Sequence, residues 1–301
     1  MKHMLSNLLQ LSLKDKLFIV EPVPSIIDGL DYETFSYYFD QLMLTQDSLN
    51  QDLCGPNYTR TLITDKTNRK IRFGNALISE ANELLDSTSW KHWKNVSDSD
   101  MDMDNIATEL IDFLHFLPSL LLVNLKVDSN DDTEILIENS PRYINHKVIA
   151  WNRLNVPVGK IDDTSLITTT LSVNNLIGSM CNLSHIYNPD VNDIGNDDFK
   201  YGSSYIIAFA FGLTYSLHIE LFNSTVESIW SEYIVKNTLN RFRANNGYKD
   251  GTYIKLWERD VEDNVIAKAI MCENPEFTGE LLYKELEEEY ARVLDRKVTD
   301  A

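Results

Sequence analysis

Cysteine is scarce: Cys54, Cys181 and Cys272 are the only three in 301 residues. The number is odd, the spacing wide, and no Cys-x-x-Cys pair occurs, which excludes a disulfide framework and fits reduced thiols in a cytosol. No uninterrupted run of 18 apolar residues exists, which argues against a membrane span. The start, Met1-Lys2-His3-Met4, is not followed by the apolar core and small-residue cleavage site of a signal peptide. Basic residues are also few, 27 against 46 acidic ones, for a formal net charge of −19. So acidic a surface argues against nucleic acid as a partner, because backbone binding needs Lys and Arg to neutralise phosphates. A smaller anionic ligand would be repelled too, unless metal ions and a local basic cluster reverse the field. The sequons at Asn57, Asn95, Asn182 and Asn223 read as chance matches in an Asn-rich chain.

What is present is an ordinary 43% of hydrophobic residues, enough for one large domain or two small ones. Two carboxylate pairs stand out, Glu80 with Glu83 and Glu109 with Asp112. Each is spaced i, i+3, which on a helix puts both side chains on one face with Cβ atoms about 5–6 Å apart. A helical hairpin would set the two acidic faces against each other. Facing carboxylates repel and raise one another's pKa, and a divalent cation relieves the conflict. All-oxygen donors suit Mg²⁺. The bland alternative is solvated helix surface. Against it, Leu84 and Leu85 flank the first pair, and Leu110, Phe113, Leu114, Phe116 and Leu117 the second, which favours a core boundary.

Helical period begins at Asp31, a cap for Thr34, and Cys54-Gly55-Pro56-Asn57 closes that helix. Gln46 and Asn50 lie one turn apart on it, either as two surface amides or as readers of a base edge. Residues 58–70 read as a loop. Trp90-Lys91-His92-Trp93-Lys94 is either a packed corner with snorkelling lysines or a substrate wall. Asp98 to Asp104 lacks the Gly and final Glu of an EF-hand; it reads as a solvated connector capping the next helix at Asp104 or Asn105. Thr133 to Ile137 and Ser165 to Val173 have strand-like composition, although short apolar runs are ambiguous. His146 and His185 are isolated and lack the spaced partners of a zinc site. Tyr205 to Phe211 reads as a buried helix.

A helix over about 225–245 places Tyr233, Lys236, Asn240 and Arg243 on one stripe, with Ile229, Trp230, Ile234, Leu239 and Phe242 as apolar contacts. Gly247 suits a left-handed C-cap, and Tyr248 and Lys249 follow it. The basic groups Lys236, Arg241, Arg243 and Lys249 either complement a helix C-terminus or form a triphosphate clamp. Residues 276–297 predict an acidic amphipathic helix with Leu281, Leu282, Leu286, Tyr290 and Leu294 on one face.

Glu-x-x-Glu at 80–83, Trp-Lys-x-Trp-Lys at 90–94, and Glu-x-x-Asp at 109–112 with its apolar run come in a particular order. Lys236 to Arg243, Gly247 to Tyr253, Trp257 and Glu262-Asp263-Asn264 follow. Together they resemble the dimeric dUTPase family, over about residues 31–124 and 216–264. The resemblance implies an all-α fold: a helical-bundle rigid core with an inserted, smaller mobile region. It divides the chain into an extension (1–30), a first core part (31–124), the insert (125–215), and a second core part with the C-terminal helix (216–301). It further implies Mg²⁺ on Glu80, Glu83, Glu109 and Asp112, with Glu80 or Glu83 orienting the attacking water. Phosphate contacts are implied at Lys236, Arg243, Tyr248 and Lys249, and base or sugar contacts at Gln46, Asn50, Asn240 and Trp90. The implied substrates are dUTP and dUDP, in a cytoplasmic homodimer. The added length and Asn/Asp richness suggest a phage or an AT-rich genome. Rival readings are a phage-type enzyme that also accepts dCTP, a broader house-cleaning NTP pyrophosphatase, and a non-catalytic helical binding protein.

Overall fold

The computed structural model describes residues 21–61, 63–64, 67–91, 93, 101–126, 132–157, 165–170, 197–258, 261–276 and 278–299. Residues 1–20 and 171–196 lie outside the described residues, as do His92, Lys94, Cys181 and His185. The chain divides into two compact units, Met1–Val226 and Glu227–Ala301.

The first unit is built from helices α1 (Tyr32–Cys54), α2 (Tyr58–Thr61), α3 (Phe73–Asp86), α4 (Met103–Lys126), α5 (Thr133–Asn139), α6 (Pro141–Leu154) and α7 (Asp197–Phe222). Asp31 caps α1 as expected, its Oδ1 accepting from the Thr34 amide at 2.7 Å, and Gly55 ends it with φ 98°. Helix α4 is the axle: α1, α2, α3 and α7 all pack on it. By length and hydropathy α4 and the Tyr205–Phe222 part of α7 would each cross a bilayer, but 72% and 61% of those stretches are buried in the protein. They are core helices.

Aromatic side chains join α1, α6 and α7: Phe35 and Phe39 meet Trp151, Phe211 and Tyr215 with centroids 4.7–5.7 Å apart. Two largely buried ion pairs tie α1 to its neighbours, Lys126 of α4 to Asp47 at 2.9 Å and Lys147 of α6 to Asp40 at 2.8 Å. Residues 21–27 lie along the end of α6: the Trp151 indole donates to the Val23 carbonyl at 2.8 Å, and Asn155 Oδ1 accepts from the Ile26 amide at 3.0 Å.

Helices α6 and α7 approach at Gly212. A Cβ there would sit 2.1 Å from the Ala150 carbonyl oxygen and 2.9 Å from Arg153 Cβ. Because the obstacle is backbone, it cannot rotate away. Gly212→Ala is expected to destabilise the protein by about 1–3 kcal/mol or more, in spite of alanine's higher helix propensity. Urea unfolding of the variant measures this.

Four local expectations change. Thr133–Asn139 is helical, not a strand, and residues 165–170 are helical as well. Its buried positions, Thr133 and Leu136, are three apart, while Ile135 is exposed, so the period is helical despite the β-branched composition. Within 58–70 there is a helical turn, Tyr58–Thr61, and an isolated bridge from Ile63 to Lys70. Helix α4 is capped by Asp102, whose Oδ1 accepts from the Asn105 amide at 3.0 Å, rather than by Asp104 or Asn105.

The second unit contains α8 (Val226–Asn245, its first residue belonging to the first unit), a 3₁₀ turn at Tyr248–Asp250, and strands β1 (Leu256–Glu258) and β2 (Val261–Glu262). Helices α9 (Asp263–Glu273) and α10 (Gly279–Thr299) follow. The strands pair antiparallel in a small hairpin, the only sheet among the described residues. Gly247 adopts the left-handed conformation expected of it, φ 89°. The core gathers Leu239, Phe242, Trp257, Leu282, Leu286 and Tyr290 around one another. On α10 the buried positions are Leu282, Leu286, Tyr290 and Val293; Leu281 and Leu294, expected on that face, are 42% and 43% exposed. They sit one position off the stripe that the 3.6-residue period draws through Leu282 and Leu286.

Candidate active site

Helices α3 and α4 pack side by side, and their loop is closed by local bonds. The Asp102 amide donates to the Ser87 carbonyl at 3.0 Å, and Asn105 Nδ2 donates to Ser87 Oγ at 2.7 Å. Glu80 lies seven residues before that closure and Glu109 seven after it. Each is displaced about 10 Å along its helix at 1.5 Å per residue, so the hairpin brings them level. Apolar residues seat the pair: Leu77, Ala81 and Leu84 on α3, Ile106, Leu110 and Leu114 on α4, all fully buried.

As a result, carboxylate oxygens of Glu80, Glu83 and Glu109 lie within 4.8 Å of one another. Glu83 is exposed, Glu80 half-buried and Glu109 buried. Asp112 is also buried, one turn beyond Glu109 on the same helix. Burial pushes the Glu109 carboxyl up to about 8, and the negative charges of Asp112, Glu80 and Glu83 push it the same way. Its Oε2 is buried with no hydrogen-bond partner. A buried, unpartnered oxygen beside two further carboxylates fits a hard divalent cation, which would satisfy the orphaned atom and cancel the repulsion.

At the end of α3, Asp86 organises the tryptophan segment. Trp90 Nε1 donates to Asp86 Oδ1 at 3.1 Å, Lys91 Nζ pairs with the same oxygen, and Lys91 lies 5.6 Å from the Trp90 ring centroid. Trp93 packs edge-on against Trp90 at 5.3 Å and is 62% exposed. Asp86 lies between the Glu-x-x-Glu pair and the tryptophan segment, and no sequence pattern marks it as their organiser.

Gln46 and Asn50 are interior residues, 3% and 2% exposed, not surface amides. Gln46 Nε2 donates to Asn50 Oδ1 at 3.0 Å, and Asn50 Nδ2 donates to Ser119 Oγ at 2.9 Å and more weakly to Tyr58 Oη at 3.4 Å. Tyr58 donates to Asp47 Oδ1 at 2.8 Å. Asp47 in turn accepts from Lys126 and Thr133.

In the second unit, Lys236, Asn240 and Arg243 are half-buried residues of α8, and Tyr248 and Lys249 are exposed just beyond it. Tyr233, predicted on the same stripe, is fully buried. Arg243 is gripped from behind. Its Nε donates to Asp263 Oδ2 and its Nη2 to Asp263 Oδ1, both at 2.7 Å, and the guanidinium lies 5.8 Å from the Tyr248 ring centroid. Burial alone would lower the Arg243 pKa, but the hydrogen bonds and charge of Asp263 outweigh it and raise it. Tyr253 also donates to Asp263 Oδ2 at 2.7 Å. Asp263 was visible in sequence as part of Glu262-Asp263-Asn264; nothing there marked it as the anchor of Arg243. The other histidine singled out in sequence, His146, is fully buried, and burial pulls it down to about 3, so it is neutral.

Facing carboxylate helices with an orphaned buried oxygen, in a predominantly helical chain, fit a class: hydrolases that handle phosphate groups with a divalent metal. The chain belongs to the dUTPase family, whose model matches residues 38–248. It is therefore a hydrolase of a family that converts dUTP and dUDP to dUMP and generally uses a divalent metal. No curated protein matches the chain. The family match runs through the middle of the chain, which the resemblance read from motifs had left out, and stops at Tyr248, short of Lys249 and Asp263.

Proposed function

We propose that this chain is a Mg²⁺-dependent dUTP diphosphatase, releasing dUMP and pyrophosphate from dUTP, and dUMP and phosphate from dUDP. The observation that carries the reading is the buried Glu109 oxygen without a partner, set among the carboxylates of Glu80 and Glu83. Glu80, Glu83, Glu109 and Asp112 would hold the cation. When bound, it supplies polarisation of the phosphoryl oxygens and a lower pKa for the attacking water. Glu80 or Glu83, the more accessible of the carboxylates, orients that water and takes its proton as it attacks the α-phosphorus. The bond from that phosphorus to the leaving oxygen breaks in line, and the pyrophosphate chain departs. Lys236 and Lys249 meet phosphate charge as point cations, Tyr248 and Arg243 add donors, and the Asp263 grip aims the guanidinium. Gln46 and Asn50 set the uracil edge, Asn240 meets sugar or base, and Trp90 covers the nucleotide. Family membership supports a homodimer, and the few, widely spaced cysteines fit a cytoplasmic setting.

The test is pyrophosphate release from dUTP, dCTP, dTTP and UTP, each with Mg²⁺ and with a chelator. Turnover of dUTP that requires the metal is expected. Equal or faster turnover of dCTP would end the uracil assignment of Gln46 and Asn50, leaving the dCTP-accepting relative as the better reading. Full turnover in chelator would end the metal assignment.

A further inference from the structure

An amide side chain can sit either way round, and what fixes its sense is the donors and acceptors it meets. Around Asn50 two hydroxyl groups decide the matter. Ser119 Oγ has two acceptors in reach, the His115 carbonyl at 2.7 Å and Asn50 Oδ1 at 3.4 Å; with its only proton on the nearer one, it accepts from Asn50 Nδ2 at 2.9 Å. Tyr58 donates its only proton to the Asp47 carboxylate at 2.8 Å, so toward the same Nδ2, at 3.4 Å, it too can only accept. Both hydroxyls therefore demand the NH₂ group of Asn50 on their side. That leaves Asn50 Oδ1 facing Gln46, which must answer with its own NH₂, as it does at 3.0 Å. The carbonyl end of Gln46 is thereby turned away from Asn50.

We propose that Ser119, backed by Tyr58, is a positioning residue for base selection: it fixes the donor–acceptor sense of Gln46 through Asn50. Asn50, 2% exposed, then serves as the link, and Gln46 is the amide that meets the base. The inference rests on the reading of Gln46 as a uracil contact. A Gln46 carbonyl fixed in that sense accepts from a ring nitrogen that carries hydrogen, as N3 of uracil does. It opposes the bare lone pair that cytosine presents at that position. A site whose hydrogen-bonding sense is locked rejects the wrong partner far more strongly than one whose amide can turn over.

The test compares kcat/KM for dUTP and dCTP in wild type, Ser119→Ala, Ser119→Ala with Tyr58→Phe, Ser119→Thr and Gln46→Ala, alongside thermal unfolding. Ser119→Ala is expected to cut the dUTP:dCTP ratio roughly tenfold, the worth of one buried hydrogen bond's misalignment. The double variant is expected to cut it further. Ser119→Thr keeps the hydroxyl and restores the ratio. Should Gln46→Ala collapse the ratio while the Ser119 variants leave it untouched, the positioning role is overturned and the uracil reading of Gln46 stands. Unchanged ratios in all variants would sink that reading and this one together. Equal losses on both substrates in Ser119→Ala, with a lowered unfolding temperature, would show a merely structural serine.

Discussion

Glu109→Gln is expected to lower kcat/KM for dUTP by on the order of a thousandfold while leaving the fold intact. Glutamine keeps the shape of the side chain but removes the charge that a cation would meet. The same substitution has a second, opposite effect on the metal-free protein, where Glu109 is a liability. Its carboxyl holds a proton up to about pH 8 in the folded chain, against 4.5 when unfolded. Between those values the folded state binds more protons than the unfolded one. The contribution to stability is therefore fully present below the unfolded value and is lost as the pH rises through the folded one. The variant lacks that decline, so in chelator its stability should overtake wild type as the pH approaches 8. Added Mg²⁺ should raise the unfolding temperature of wild type and not of Glu109→Gln. Parallel pH profiles would show that Glu109 is not held protonated in the fold, and an equal Mg²⁺ response that it is not part of a cation site. Undiminished turnover would remove the mechanism.

Asp263→Ala should strongly destabilise the second unit. Asp263 is fully buried, and the Arg243 side chain is only 12% exposed. Deleting one partner of such a pair leaves a charge in low dielectric with nothing to answer it, a loss of roughly 3–5 kcal/mol. Tyr253 loses its acceptor at the same time. Asp263→Asn keeps the shape but not the charge, and should fall between wild type and alanine. Chemical unfolding read by near-ultraviolet circular dichroism, which senses the aromatic cluster around Phe242, measures the loss. A wild-type midpoint for Asp263→Ala would mean that the ion pair contributes nothing. Under the proposed function, both variants should also raise KM for dUTP, because a guanidinium without its anchor no longer points one way.

The features that could be read from the chain were those with a short period. The carboxylate pairs, the α8 stripe, the Asp31 cap and the Gly247 turn each depend on residues within a few positions of one another, so helical geometry alone determines them. Where the relevant partner is distant in sequence, the reading ran out. Asn50 and Ser119 are 69 residues apart, and Arg243 and Asp263 are 20 apart; no local pattern links either pair. Gln46 and Asn50 were placed on one helix face correctly, but their burial follows from α4 packing over them. Thr133–Asn139 misled because its β-branched residues suggest a strand, while only the spacing of its buried positions reveals a helix. The α4 cap was placed two or three residues late because Asp98, Asp100, Asp102 and Asp104 all have the chemistry of an N-cap.

The aromatic core of the second unit has a consequence for how the protein is made. Phe242 meets Tyr253, Trp257, Tyr283 and Tyr290, every one of which leaves the ribosome after it. At about 5–20 residues per second, translation takes several seconds to travel from Phe242 to Tyr290. During that interval the helix bearing Lys236 and Arg243 has a bare greasy flank and an arginine still waiting for its aspartate. The acidic hairpin is already synthesised by then. Order around Lys236 and Arg243 thus arrives last, and a message that stopped early would yield a polypeptide with its carboxylates in place and that helix without its core.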